Sequence, residues 1–159
     1  EEESEKYREY REEFRAFASP MDGTDLLGVV EDTKEWVEKE NGMWREENLP
    51  PGYVPSTLLV AKRRKDNRVV GMINIRHTLN EHLKKCGGNI GYSVRPTERG
   101  KGYGKKILSL SLSYLKALGN NRALVTCNAA NEASRRIILD NKGVYEDTVD
   151  GIERYWIER

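Results

Sequence analysis

Apolar side chains recur at Tyr7, Tyr10, Phe14 and Phe17, with steps of 3, 4 and 3, inside an otherwise charged segment. That spacing predicts an amphipathic helix over residues 3–18 with a single apolar stripe. Ser19-Pro20 and then Met21-Asp22-Gly23 end it. Asp32-Thr33 opens a second helical pattern that turns Trp36 and Val37 inward and runs to about Arg45. Asn48–Tyr53 holds two prolines and a glycine and reads as a loop.

The pattern then changes period. Ser56–Lys62 (STLLVAK) is strand-like, and Val69–Arg76 (VVGMINIR) alternates as its return strand. The basic run Lys62–Arg68 between them reads as a solvated hairpin tip rather than a binding patch. Thr78–Lys85 is read as a helical turn, broken by Cys86-Gly-Gly88. Asn89–Arg95 (NIGYSVR) is a further strand, stopped by Pro96. An amphipathic helix follows the glycine-rich segment and runs to about Leu118, with Ile107, Leu108, Leu112 and Leu115 on one face. Ala123–Cys127 reads as a buried strand and Asn131–Asn141 as a helix. Val144–Val149 and Ile152–Ile157 form a hairpin around Asp150-Gly151. The order ααβββαβαββ predicts an α/β layer protein of the α+β type, with a mixed, mostly antiparallel sheet flanked by helices.

At 159 residues the chain is expected to form one domain, an acidic helical front (1–50) followed by a sheet core (55–159). The formal net charge is only +1, but it is unevenly spread. Residues 1–50 carry 16 acidic and 7 basic side chains, a net −9; the remainder carry 10 and 20, a net +10. A basic two-thirds suggests an anionic partner, with nucleic acid and a phosphorylated cofactor both open at this point. Cys86 and Cys127 form no CxxC pair, so neither a disulfide framework nor a metal site is expected. The acidic start EEESEKYREY has no signal-peptide layout, and no apolar run is long enough to span a bilayer. A cytoplasmic location away from membranes is therefore expected.

The chemistry concentrates between the strand 89–95 and the helix after it. Gly100, Gly102 and Gly104 alternate where the chain enters that helix. Glycine lets successive N–H groups turn inward, and with the positive helix end they make an anion site suited to a pyrophosphate. Arg95, Arg99, Lys101, Lys105 and Lys106 stand around one acid, Glu98. A P-loop fails on spacing, because Lys105 stands where its second glycine belongs. A dinucleotide fingerprint fails as well, because GxG is followed by Lys105 rather than glycine.

The spacing that does fit is R-x-x-G-x-G, Arg99-Gly-Lys-Gly102-Tyr-Gly104. With the strand Ile90-Gly-Tyr-Ser-Val-Arg-Pro96 before it and Cys127-Asn-Ala-Ala-Asn131-Glu-Ala-Ser134 after it, this resembles the GNAT superfamily of acetyl-CoA-dependent N-acetyltransferases. The run Gly71–His77 and the ending Arg154–Ile157 are similar to a bacterial predicted-acetyltransferase branch of that family. The family usually opens with a strand before its first helix, so the resemblance implies one upstream of residue 1.

The resemblance implies a parallel central pair, strands 89–95 and 123–127, that splays at its C-terminal end. Unpaired main-chain groups near Tyr92, Ser93 and Val94 would hold the pantetheine arm and polarise the acetyl carbonyl. The loop Arg99-Gly100-Lys101-Gly102-Tyr103-Gly104-Lys105 would take the pyrophosphate, with Asn131 and Ser134 on the arm; an ordinary helix cap explains those last two equally. An acceptor alkylammonium must lose a proton before it attacks. His77 is the leading candidate base and Glu81 the next, both in RHTLNEHL. Many family members carry a tyrosine seven residues after the signature asparagine; here Ile138 stands there, leaving Tyr145, Tyr155 or water to protonate the thiolate. The implied function is acetyl transfer from acetyl-CoA, without metal, to a small-molecule or peptide amine by direct attack in a ternary complex. A non-catalytic acyl-CoA-binding or sensor domain is the alternative. No nucleic-acid motif accompanies the basic runs. The last strand, ending Tyr155-Trp156-Ile157, is expected at an exposed edge where a second copy could pair.

Overall fold

The computed structural model describes residues 2–159. Eleven regular elements follow in order: α1 (Glu2–Ala16), α2 (Thr33–Glu40), β1 (Ser56–Lys62), β2 (Val69–Arg76), α3 (Glu81–Lys85), β3 (Ile90–Val94), α4 (Tyr103–Ala117), β4 (Arg122–Asn128), α5 (Glu132–Asp140), β5 (Val144–Val149) and β6 (Ile152–Glu158). Short 3-10 turns lie at Asp25–Gly28, Glu46–Asn48 and Pro96–Glu98. The architecture is the expected α/β one, antiparallel sheets flanked by helices. Helix α2 stops five residues short of the expected Arg45. The Asn41-Gly42 pair ends it, since glycine costs about 1 kcal/mol in a helix interior.

The strands divide into two antiparallel sheets, ordered β1-β2-β3 and β4-β6-β5. Strand β2 is buried along almost its whole length, because both of its faces are covered. Ile73 and Ile75 join Ile107, Leu108 and Leu112 of α4 in one core. Val69 and Met72 join Tyr10, Phe14 and Trp36 from α1 and α2 in the other. Met72 lies on the face opposite Ile73 and Ile75, as a period of two requires, and the bulge opposite Ala61-Lys62 puts Val69 on the Met72 side.

Helix α1 docks through polar contacts as well as its stripe. The Tyr10 hydroxyl lies 3.1 Å from the Ser93 carbonyl and 3.0 Å from its Oγ. Glu13 accepts from Arg95 Nε at 2.6 Å, from the Thr97 amide at 2.9 Å and from Thr97 Oγ1 at 2.7 Å. The basic hairpin tip is tied down rather than free. Arg63 and Arg68 reach the buried carboxylate of Glu98 at 2.9 and 3.1 Å, and Lys101 meets it at 2.8 Å.

The final strand corrects one expectation. β6 lies between β4 and β5, with Tyr155 and Ile157 buried, so it offers no edge for a second copy. The hairpin 144–158 returns its second strand inward to pair with β4, which leaves β5 outermost.

Candidate functional site

The two sheets meet where β3 and β4 begin. The Asn89 amide donates to the Leu124 carbonyl at 2.7 Å, and the Leu124 amide donates to Asn89 Oδ1 at 2.9 Å. Beyond this point no ladder joins β3 to β4 among the described residues. Which main-chain groups face the gap follows from antiparallel alternation. Arg95 donates to Val70, and Arg76 to Asn89, so the odd-numbered residues of β3 bond toward β2. Tyr92 and Val94 therefore direct their amides at the gap. On β4, Leu124 bonds toward β3 and Ala129 toward Gly151, so Thr126 and Asn128 face the gap from the other side. Ser93 does not: its main chain bonds toward β2, and its side chain holds Tyr10. Thr126 and Asn128 were not singled out from sequence, since the parity of a strand depends on its neighbours.

At the wide end of the gap, Gly100 (φ 74°) and Gly102 (φ 83°) take left-handed conformations. A Cβ at either would meet nothing within 4 Å. Their backbone is thus bared at the N-terminus of α4, where Gly102 is the N-cap residue. Gly104 has a different task. A Cβ there would lie 2.6 Å from Ile137 Cδ1, so this glycine lets α4 pack on α5. Arg99 is anchored, its guanidinium donating to the Val94 carbonyl at 3.1 Å and Ser19 Oγ at 2.8 Å. Tyr103 packs against the α4-side core. Lys101 is held by Glu98, and Lys105 lies 3.7 Å from Asp140. A cavity of about 430 Å³ opens beside Gly102, lined by Lys105, Lys106, Lys142 and Arg159. Lys142 and Arg159 join the loop only through folding. The bared glycine backbone, the helix end and these four cations fit a pyrophosphate with a further phosphate.

Asn131 caps α5, its side chain accepting from the Ser134 amide at 3.1 Å. The Ser134 hydroxyl meets Tyr92 Oη at 2.9 Å, so β3 and α5 touch across the gap. Burial pushes the Tyr92 phenol up to about 12. Behind it, Cys127 is buried and donates to Glu153 Oε2 at 3.7 Å, which also accepts from Tyr155 at 2.8 Å. Ile138 is fully buried in the core and presents no polar group.

The three candidate catalytic residues are not brought together. His77 Nε2 lies 2.8 Å from Thr57 Oγ1, which also accepts from Tyr114 at 3.2 Å. The imidazole therefore sits beside edge strand β1 on the α4 face, and burial lowers its pKa. Glu81 is highly exposed and paired with Lys84, which lowers its pKa. Tyr145 is exposed on the outer strand β5, its hydroxyl 2.8 Å from Thr148 Oγ1. Each sits where its own short segment leads it, and none of those segments crosses the β3–β4 gap.

A further carboxylate, exposed Asp22, lies on a loop seated over β3. Gly23 (φ 70°) lies so close to β3 that a Cβ on it would come within 2.3 Å of the Gly91 carbonyl oxygen. This contact seats the 21–28 loop on the strand. Burial raises the pKa of Asp22, opposed by Arg76, and the Asp22 charge is felt at the Tyr92 phenol.

Residues 8–142 match the family model described as the Acetyltransferase (GNAT) domain. The chain belongs to the GNAT acetyltransferase family. No curated protein sequence matches it significantly. Among solved structures, RimJ of Mycobacterium smegmatis in complex with CoA-disulfide superposes with a TM-score of 0.70 at 18% identity, over 99% of this chain and 78% of that one. The ribosomal-protein-S5-alanine acetyltransferase of Vibrio fischeri gives 0.67 at 15% identity, over 94% and 84%. The yncA protein of Salmonella typhimurium, solved with its cofactor acetyl-CoA, gives 0.59 at 14% identity, over 93% and 84%. At these identities the likeness is one of fold.

Proposed function

We propose that this chain transfers the acetyl group of acetyl-CoA to a primary amine by direct attack within a ternary complex. The observation that carries the reading is the bared backbone of Gly100 and Gly102 at the end of a strand pair that separates after Asn89 and Leu124. Two structures of the same fold, one in complex with CoA-disulfide and one with acetyl-CoA, support that choice of cosubstrate.

The cosubstrate supplies an activated thioester. The loop 99–105 holds its diphosphate, and the cations around the neighbouring cavity hold the remaining phosphate. The gap-facing groups of Tyr92, Val94, Thr126 and Asn128 hold its amide-bearing arm as a strand would. A main-chain N–H of β3 then stabilises the oxyanion, worth on the order of 3 kcal/mol when well placed. We assign Asp22 to accept the proton from the amine, in place of His77, because its loop rests on Gly91 beside the gap. A raised carboxylate pKa makes it a stronger base. The amine nitrogen bonds to the acetyl carbon, the C–S bond breaks, and the thiolate leaves without needing a side chain at position 138.

The test is thiol release with a broad amine panel, read beside calorimetric binding of acetyl-CoA. Acetyl-CoA-dependent thiol release with at least one amine is the expected result. Tight binding with no turnover on any amine would instead favour an acyl-CoA sensor.

A further inference from the structure

The 21–28 loop places a second carboxylate on β2. Asp25 (φ 47°) accepts from Nδ2 of Asn74, and its carboxylate contacts the carboxyl of Glu40 at the end of α2. Asn74 is 1% exposed in the middle of β2, aimed into this acidic pair. Its amide orientation is set by chemistry, since a carboxylate accepts and only the NH₂ end can bond to Asp25. That leaves Asn74 Oδ1 buried with no partner, and Glu40 Oε2 is buried and unpartnered beside it. Each such buried acceptor without a partner destabilises the folded chain. Two orphaned oxygens and a carboxylate converge here, and with both carboxyls ionised all three are acceptors.

We propose that Asp25, Glu40 and Asn74 form a binding site for an alkylammonium group, so that the acceptor is a diamine whose far end is held there while its near end is acetylated. This deepens the acetyltransferase reading and rests on it for the reaction, though not for the binding. An ammonium carries three N–H donors, matching the three acceptors. Charge agrees. Asp25 and Glu40 face the site, and Arg76, which feels the charges of Asp25 and Asp22, has its guanidinium already committed to the Gly87 and Gly88 carbonyls at 3.0 and 3.2 Å. Lys39 is the other cation felt at Glu40. Among the described residues no set of three His, Cys, Asp or Glu side chains is arranged for a metal, so an organic cation is the better occupant. Asp25 is exposed and forms the way in.

The register supplies the spacing. Asn74 is paired with Gly91, the residue before Tyr92 and the one on which Gly23 rests. The cluster on β2 is therefore one strand away from Tyr92, whose amide faces the gap, which is within reach of a short diamine. Burial and Asp25 push Glu40 up to about 8, so the pair shares a proton at neutral pH. An ammonium arriving between them favours both carboxylates ionised and expels that proton.

The experiment titrates straight-chain α,ω-diamines of two to six carbons, and the matching monoamines, into the full chain by calorimetry in buffers of different ionisation enthalpy. Turnover with acetyl-CoA is measured on the same panel. The expected result is an optimum at one diamine length within this panel, binding about tenfold or more tighter than the matching monoamine, with proton release at pH 7. Glu40→Gln copies the protonated carboxyl and keeps its bond to Asp25, so the fold is retained. It abolishes the proton release and brings the diamine-to-monoamine ratio of kcat/KM toward one. Asp25→Asn provides a second, isosteric check with the same loss of preference. Equal handling of diamines and monoamines by the unmodified chain, or a preference unchanged in both variants, overturns the proposal while leaving acetyl transfer intact. Diamine binding with proton release but no turnover on any amine sustains the site and overturns the enzymatic reading instead.

Discussion

Substituting alanine at Gly102 and at Gly104 separates two glycines that look equivalent in the motif. At Gly102 the backbone sits at φ 83°, and a methyl there has open space around it. The cost is then conformational, about 1–2 kcal/mol for an L-residue in the left-handed region. For a chain of this size that lowers the melting temperature by about 2–8 °C. At Gly104 the conformation is helical, and alanine gains about 1 kcal/mol of propensity. Against it, the new Cβ stands 2.6 Å from Ile137 Cδ1, and moving that terminal methyl costs about 1–3 kcal/mol. The two largely cancel, so Gly104→Ala is nearly neutral or mildly destabilising. Ligand affinity should divide the pair more sharply. The Gly102 methyl projects from the bared face of the loop and should weaken acetyl-CoA about tenfold, about 1.4 kcal/mol. The Gly104 methyl points at α5 and should change affinity by less than about threefold. Thermal unfolding by circular dichroism and acetyl-CoA calorimetry measure both quantities. A folded Gly102→Ala protein with unmodified affinity, or a larger affinity loss at Gly104, would refute the assignment of the loop.

Three further outcomes follow from the same geometry. Asp22→Asn should lower kcat/KM by about 100-fold or more and remove a rising pH limb lying above the ordinary aspartate range, whereas His77→Ala should leave that limb in place; the reverse pattern would return the base to His77. Glu13 and Glu98 both titrate below the usual carboxylate value of 4.5 because of their hydrogen bonds and arginine or lysine partners. Their stabilising contribution is complete above the unfolded value and is lost as pH falls through the depressed native values, so urea midpoints should drop below about pH 4.5 and Glu98→Gln should flatten that decline. Maleimide mass spectrometry at pH 8 should label exposed Cys86 and spare Cys127, whose thiol is pushed up to about 11 by burial and Glu153; equal labelling would contradict that environment.

The strands β1, β2 and β5 begin and end where alternation and turn residues place them, because each is bounded by a local signal. The division into two sheets has no local signal: it depends on Asn89 meeting Leu124 and on nothing pairing beyond. The left-handed turn at Gly100 and Gly102 was legible, because a short glycine motif announces such conformations. Gly104 also has a packing reason to be glycine, which the motif cannot show because Ile137 arrives from another helix. His77 was favoured for its chemistry, yet strand parity sends it to Thr57 and the α4 face. The carboxylates Asp22, Asp25 and Glu40 were hidden in a generally acidic front. Only the seating of Gly23 on Gly91 distinguishes the loop aspartates from their solvated neighbours.

The docking of α1 has a consequence for synthesis. Its anchors lie far downstream, Tyr10 to Ser93 over 83 residues and Glu13 to Arg95 over 82. At ~5–20 residues per second, a ribosome needs several seconds to deliver them. Throughout that interval Tyr10 and Phe14 lack the strand surface that completes their cover, and of the buried residues in that core only Leu27 and Trp36, from the same acidic front, are at hand to pack on them.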